Sequence, residues 1–405
     1  MNPFPMLRAE LRALGWTAVA ILLLVGFASA IGIAINTGER ALRKSSAAAA
    51  DDFPLLIGAP GSPTQLVMTT IFLQPEALPL MAGEILPRLK ADPRVRDVAP
   101  VAFGDIAMGY PIVGTSREFA LRWGRLTPVE GRAFELPSRA LMAKPEALIG
   151  ADVRLAMGAE ITPAHALAGM RHTPGEAEPE EVEHRHEGTT YRIVGRLPRT
   201  GSPWDRAILV PIEAVWATHG LHAESGQVPG VPALVVRPKS VADAYGLRGT
   251  YRQGGTMAFF PAEVLVALYG ALGEARGLLL AASVLNAVLM FGAILLLFWA
   301  IAGLRRQRYA VLRALGAPRR FILLLVWLQA VVLIGAGCLI GLPAGWALTA
   351  LTGRWMLGET GLALTLTPDA SDILIIAILI SAASLLALIP ALLAYRQPVI
   401  TGLTK

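Results

Sequence analysis

The side chains best suited to metal chemistry lie in one polar stretch, residues 171–188, which holds six glutamates and a single large aliphatic residue. His184 and His186 would project to the same side of an extended chain, with Glu183 and Glu187 beside them. Two imidazoles with one or two carboxylates suit zinc best among the common metals. A closed zinc site needs three or four ligands, so the alternative is a solvated loop whose histidines bind no metal.

A second distinctive stretch, residues 305–320, reads RRQRYAVLRALGAPRR and has six arginines and no acid. It lies between two long uncharged runs, and arginines in such a loop face the cytoplasm. Helical spacing groups three apolar side chains: Tyr309, Leu312 and Leu315. Three arginines share another side: Arg306, Arg313 and Arg320. We therefore predict a short amphipathic helix ended by Gly316 and Pro318; the alternative is that the arginines only set membrane orientation.

The pattern R-x-x-x-A-V-L-R-A-L-G-A-P-R-R-x-I, from Arg306 to Ile322, resembles the cytoplasmic loop of MacB/FtsX-type (type VII-like) ABC transporter permeases. The resemblance implies a coupling helix that binds a groove of a separate cytosolic ATPase, which itself binds ATP and Mg²⁺. The residues assigned to this contact are Arg305, Arg306, Arg308, Tyr309, Leu312, Arg313, Leu315 and Gly316. Arg308 stands where family members usually carry a glutamate, so the charge of the contact differs here.

The elements that must position these stretches are those of a membrane protein. The chain is 54% hydrophobic and 16% charged, with a mean hydropathy of +0.54, which is too apolar for a soluble protein. We predict four membrane-spanning helices, within residues 1–38, 273–304, 321–353 and 373–396. An alternative for the first is a cleaved signal peptide, with Ala28-Ser29-Ala30 as the cleavage site. With the arginine loop inside, both termini and the tail 397–405 are cytoplasmic.

Residues 39–272 form the predicted extracytoplasmic domain, of mixed α+β class, inserted between spans 1 and 2 and long enough for two lobes. We predict these elements in chain order: strands 53–57 and 66–72, helix 80–89, strand 95–103, and strands 207–211 and 233–236, each followed by a short helix. The first half therefore has the order β-β-α-β. A short external loop, residues 354–372, joins spans 3 and 4.

Three glycines stand four residues apart within predicted span 3: Gly337, Gly341 and Gly345. Small residues at this spacing let another helix approach closely, so the stripe is a candidate packing face or dimer contact. The alternative is that these glycines only accommodate a break of the helix at Pro343.

Several kinds of chemistry have no residues to support them. None of the five lysines follows a glycine, so the chain lacks the Gly-Lys of an ATP-binding P-loop and we expect ATP hydrolysis in another subunit. No catalytic motif appears, so we expect no enzyme activity in this chain. No charged residue interrupts the middle of a span, which argues against a secondary transporter. Many of the arginines flank spans, and the aqueous part has no basic stripe with interleaved aromatic residues, so we expect no nucleic-acid partner.

The resemblance implies the membrane subunit of an ABC transporter in the bacterial inner membrane, with its large domain in the periplasm. We expect a homodimer, in preference to a heterodimer with a similar chain, bound to two ATPase copies and moving or extracting a cargo. The segment Gly58-x-x-Gly-Ser-Pro-x-Gln-Leu-Val67 also resembles a subgroup of these permeases associated with zinc-responsive gene clusters. The alternative is an FtsX-like regulator that controls a periplasmic partner protein such as a cell-wall hydrolase.

Calorimetric titration of the purified chain with zinc tests the metal prediction. We expect weak binding, because ordering a loop costs on the order of 1 kcal/mol per residue, and weaker binding still as the pH falls through about 6.5, where imidazoles are protonated. The double variant His184→Ala/His186→Ala should abolish the heat of binding. Equal titrations of the two proteins would assign this stretch to a solvated loop.

Overall fold

A computed structural model describes residues 3–74, 76–135, 144–165, 189–221, 228–271 and 305–396, together with short groups of residues between 277 and 300. The chain divides into two compact units. The membrane unit comprises residues 1–42, 272–354 and 365–405, and the sheet domain comprises residues 43–271 and 355–364. Residues 355–364 therefore associate with the sheet domain, which the sequence did not indicate.

The helices associated with the membrane unit are, in chain order, α1 (Phe4–Leu14), α2 (Trp16–Ala50), α9 (Arg306–Ala314), α10 (Arg319–Thr360), α11 (Ala370–Leu386) and α12 (Leu388–Arg396). Among the described residues, three stretches are long and apolar enough to cross a membrane: Trp16–Ala50, Arg319–Gly358 and Ala370–Leu392. Only short fragments of predicted span 2 belong to the described residues, so the prediction of a continuous helix there stays a prediction.

Two prolines act differently on these helices. We interpreted span 3 as broken at Pro343, but α10 continues through this residue for 42 residues in all. Membrane helices tolerate proline because neighbouring groups satisfy the freed carbonyl. Pro390 has a visible effect: α11 ends at Leu386, four residues earlier, where the proline ring meets the backbone carbonyl.

The sheet domain is built on one sheet of eleven strands. The strands are β1 (Leu55–Gly58), β2 (Val95–Ala107), β3 (Tyr110–Thr115), β4 (Glu130–Gly131), β5 (Glu146–Ile149), β6 (Glu160–Ile161), β7 (Ala164–His165), β8 (Tyr191–Arg196), β9 (Ile208–Pro211), β10 (Ala233–Pro238) and β11 (Met257–Phe259). Their order is β11-β1-β10-β2-β3-β9-β5-β8-β4, with β6 beside β8 and β7 beside β2. Because one sheet spans the described domain and its buried residues form a continuous core, the expectation of two lobes was wrong.

The described part of the domain also contains α-helices α3 (Pro63–Thr70), α4 (Ile85–Ala91), α5 (Arg117–Ala120), α6 (Ile212–Thr218), α7 (Val241–Tyr251) and α8 (Pro261–Ala271). The predicted helix after strand 207–211 is confirmed by α6. The predicted strand at 66–72 is wrong, and with it the β-β-α-β order, because α3 occupies this place. The Ser62 hydroxyl accepts a hydrogen bond from the Gln65 N–H at 3.3 Å, and Pro63 opens the helix.

A buried arginine fixes the sheet domain to the end of α2. The Arg122 side chain is 5% exposed, and its Nε donates a hydrogen bond to Asp52 Oδ2 at 2.8 Å. The guanidinium carbon lies 4.2 Å from the ring centre of Trp204 and 4.6 Å from that of Phe119. Burial lowers the pKa of Arg122 to about 10, against the opposing effect of Asp52, so the group stays charged at neutral pH.

Replacing Arg122 with alanine should lower the free energy of unfolding of the sheet domain by about 3 kcal/mol, because Asp52 would lose its buried partner and the aromatic rings would border a void. Thermal unfolding followed by tryptophan fluorescence measures this change. Arg88→Ala is the matched control, since Arg88 is exposed and pairs only with Glu84 one helical turn away. The control should stay within about 0.5 kcal/mol of the unmodified protein. Equal losses of unfolding free energy in both variants would show that the buried pair of Arg122 and Asp52 contributes no more to stability than an exposed pair.

Candidate coupling site

The coupling helix predicted at residues 305–320 is α9, and a glycine turn separates it from α10. Gly316 has φ +96°, a conformation that strongly favours glycine. The Gly316 N–H donates to the Arg313 carbonyl at 3.1 Å, and the Ala317 N–H donates to the Leu312 carbonyl at 3.0 Å. These bonds satisfy carbonyls at the end of α9. Arg319 and Arg320 then open α10 instead of extending α9.

One side of α9 is packed against the rest of the membrane unit. The Tyr309 side chain is 6% exposed and belongs to a cluster with Ala317, Phe321, Ile322, Val326 and Ala391. Burial raises the pKa of the Tyr309 hydroxyl to about 12, so it stays protonated. Leu312 is half-buried against the same cluster. Tyr309 therefore orients α9 and is not available for contact with another protein.

The opposite side of α9 is exposed. Arg308, Val311 and Leu315 follow one another at helical spacing and all three are accessible, Leu315 at 80%. We predicted that Leu315 shares the apolar side of Tyr309, and this is wrong. The helix ends at Ala314, so Leu315 occupies its C-terminal cap and points away from the cluster. We call Arg308, Val311 and Leu315 the outward face.

Arg305 belongs to an internal ion pair. Its guanidinium contacts Glu10 of α1, and both side chains are largely buried. We had placed Arg305 among residues contacting another subunit, but this pair holds it within the chain. Glu10 is the only acidic residue before Glu39 in the sequence. A single acid near an arginine-rich loop was the signal from which this ion pair could have been predicted. Arg313 is half-buried, and the side chain of Arg306 lies outside the described residues.

The glycine stripe of α10 packs against α2 of the same chain. A methyl group added at Gly341 would lie 2.6 Å from the Ser29 Cβ, and one at Gly337 would lie 2.7 Å from the Val25 Cβ. Gly345 meets Ile33 in the same way. No side chain fits at these positions without moving α2, so this packing uses the stripe within one chain.

A buried carboxylate lies further along the same helices. Asp372 is 0% exposed, although we interpreted it as part of an external loop. It falls in the first turn of α11, where it completes a capping box with Asp369. Its oxygens accept hydrogen bonds from Arg40 at 2.8 and 2.9 Å and from the Trp346 indole N–H at 3.1 Å. Asn36 and Thr37 of α2 donate to Oδ1 at 3.3 and 3.5 Å.

The metal site predicted from sequence lies outside the described residues, since these do not include His184, His186, Glu183 or Glu187. Within the described ranges, no three metal-ligating side chains come together. His219 lies beside the buried Asp105, with 3.6 Å between Nε2 and Oδ1. The hydrogen bond with Asp105 raises the pKa of His219. Zinc binding stays a prediction.

Comparison with known proteins gives one family. Residues 280–399 match the family described as FtsX-like permease C-terminal. No curated protein matches the chain significantly. Among solved structures, the periplasmic region of MacB from Actinobacillus actinomycetemcomitans is 7% identical, with a TM-score of 0.33 over 54% of this chain and 94% of that one. The extracellular domain of the ABC-type transporter YknZ from Gram-positive bacteria is 11% identical, with a TM-score of 0.30 over 51% and 98%.

The family match covers α9 to α12, the segment in which the arginine-rich pattern and the outward face occur. It therefore confirms the resemblance stated from that pattern. Residues 280–399 therefore form an FtsX-like permease C-terminal segment, and a large domain precedes this segment in the chain.

Proposed function

We propose that this chain is the membrane subunit of an ABC transporter and transmits ATP-driven motion from a separate cytosolic ATPase to its sheet domain. The observation that carries the proposal is the outward face of α9. A short helix between two apolar stretches has its inner side fixed by Tyr309, while Arg308, Val311 and Leu315 stay accessible. Apolar side chains flanked by a basic one, on a helix held from behind, suit a contact with another protein.

A route for motion starts at this helix. The turn at Gly316 leads directly into α10, so a push on α9 reaches the first residues of α10. The glycine stripe brings α10 into backbone contact with α2, where Gly341 faces Ser29. This close packing keeps the two helices side by side, because protein interiors have few voids into which side chains can move. α2 then continues to Ala50, two residues before the clamped Asp52.

The membrane arrangement belongs to the same proposal. We propose four spans with both termini in the cytoplasm, the sheet domain in the periplasm, and two copies of the chain working with two ATPase copies in the bacterial inner membrane. The basic loop at 305–320 supports the orientation through the excess of arginine expected on the cytoplasmic side. The FtsX-like match supports an ABC ATPase as the partner.

Charge placed on the outward face should uncouple the chain from its ATPase. We expect Val311→Asp and Leu315→Asp to lower ATPase co-purification and membrane-stimulated ATP hydrolysis at least about tenfold, since an unpaired carboxylate would be buried in the contact, a cost of about 1.4 kcal/mol or more. Val241→Asp is the matched control, because Val241 is also an exposed valine but lies in the sheet domain.

The variants at 311 and 315 should insert into the membrane normally, since neither side chain is buried in the chain. Unchanged co-purification and hydrolysis in both variants would contradict the coupling role of α9. Equal losses in Val241→Asp would show that the added charge acts without regard to position.

A further inference from the structure

We propose that Arg40 and Asp372 form a positioning contact, here called the clasp, that joins α2 to α10 and α11 and is required for motion to pass from the coupling site to the sheet domain. The inference rests on the proposed function and adds specific residues to it. Their role is to keep three helices in register.

The clasp gathers donors from several helices around one carboxylate. Arg40, Asn36 and Thr37 come from α2, and Trp346 comes from α10. A second nitrogen of Arg40 donates to the Ser371 hydroxyl at 2.9 Å, and the Asp369 N–H lies 3.4 Å from Asp372 Oδ2. A carboxylate accepts about four hydrogen bonds, so these donors fill its capacity.

The clasp lies far from α9. Trp346 follows Arg319 by 27 residues along α10, which is about 40 Å at 1.5 Å per residue. Between these points, α10 meets α2 mainly through the close approaches of the glycine stripe to Val25, Ser29 and Ile33, with one weak hydrogen bond from the Ser29 hydroxyl to the Cys338 sulfur at 3.4 Å. Apolar contacts have no preferred direction, whereas hydrogen bonds to a buried carboxylate fix the relative position of the helices.

The position of Arg40 within α2 determines how the clasp acts on the sheet domain. α2 runs on for ten residues from Arg40 to Ala50 and belongs to the sheet domain from residue 43 onward. A displacement of α10 and α11 therefore reaches α2 through the clasp just before the helix enters the domain. Without the clasp, α2 could slip along the glycine stripe, and ATP hydrolysis would continue without movement of the domain.

Spin-label distances in the complex with its co-purified ATPase, in nanodiscs, test the clasp. In a Cys338→Ala background, Leu351→Cys on α10 and Val241→Cys in the sheet domain supply two exposed label sites. The labelled chain is diluted into unlabelled chain, so that only distances within one chain are measured. The distance is compared with ADP and with ADP-vanadate.

We expect the nucleotide-dependent shift in distance to fall by more than half in Asp372→Asn and Arg40→Gln, while the ATP hydrolysis rate stays within about twofold. Trp346→Phe, which removes a single donor, should give a smaller loss. The reversed pair Arg40→Asp/Asp372→Arg should restore part of the shift, which a loss of fold would not allow. Lys44→Gln, at an exposed position of α2, is the matched control and should behave as the unmodified protein.

A full shift in Asp372→Asn and Arg40→Gln would overturn the clasp and leave the proposed function intact. If both variants lost the distance shift and also lost ATP hydrolysis, and the reversed pair recovered neither, the clasp would also be overturned. The contact would then serve folding alone. Absence of any shift in the unmodified complex would overturn the proposed function and the clasp together.

Discussion

The close contact between α10 and α2 is the constraint on which the rest of the membrane unit depends. Gly337, Gly341 and Gly345 carry no side chain where α10 faces α2, and Val25, Ser29 and Ile33 of α2 fill the space. In a membrane, helices gain little from hydrophobic association, because lipid is as apolar as their side chains. Packing at backbone distance, and the polar contacts that it allows, must therefore hold the unit together.

Three ion pairs of the described residues share two properties: each lies near the end of a helix, and each joins residues that are far apart in sequence. Glu10 pairs with Arg305 at the start of α9, Arg40 with Asp372 where α11 begins, and Asp52 with Arg122 inside the sheet domain. Each has at least one largely buried partner. Buried pairs contribute little net stability compared with apolar packing, but breaking one is costly. Their effect is to fix the relative positions of the segments that they join.

Patterns local in sequence predicted much of the structure. The apolar runs indicated the membrane helices, and the arginine cluster with Gly316 indicated a short helix and its end. The strand predicted at 66–72 failed because a short apolar run fits a strand or a helix, and the cap formed by Ser62 and Pro63 decided for the helix. Leu315 was misplaced because a helix turns by about 100° per residue, so six residues after Tyr309 the chain has turned to the side of Arg308 and Val311.

Contacts distant in sequence could not be predicted in this way. Asp372 looked like a loop charge because its partner Arg40 lies 332 positions away. Both residues stand at the ends of apolar runs that the topology puts on one side of the membrane. Opposite charges at such ends are therefore a signal that sequence reasoning could have used. The pair Asp52 and Arg122 gave no such signal, because the fold of the sheet domain alone brings them together.

The most direct test of the central claim, that the outward face of α9 meets an ATPase, is site-specific photo-crosslinking in intact cells. A photoreactive phenylalanine analogue is placed singly at Leu315, at Val311 and at the buried Tyr309. We predict crosslinks to a cytosolic ATPase from positions 311 and 315 and none from position 309. Crosslinks from 309 alone, or none from 311 and 315, would contradict the account.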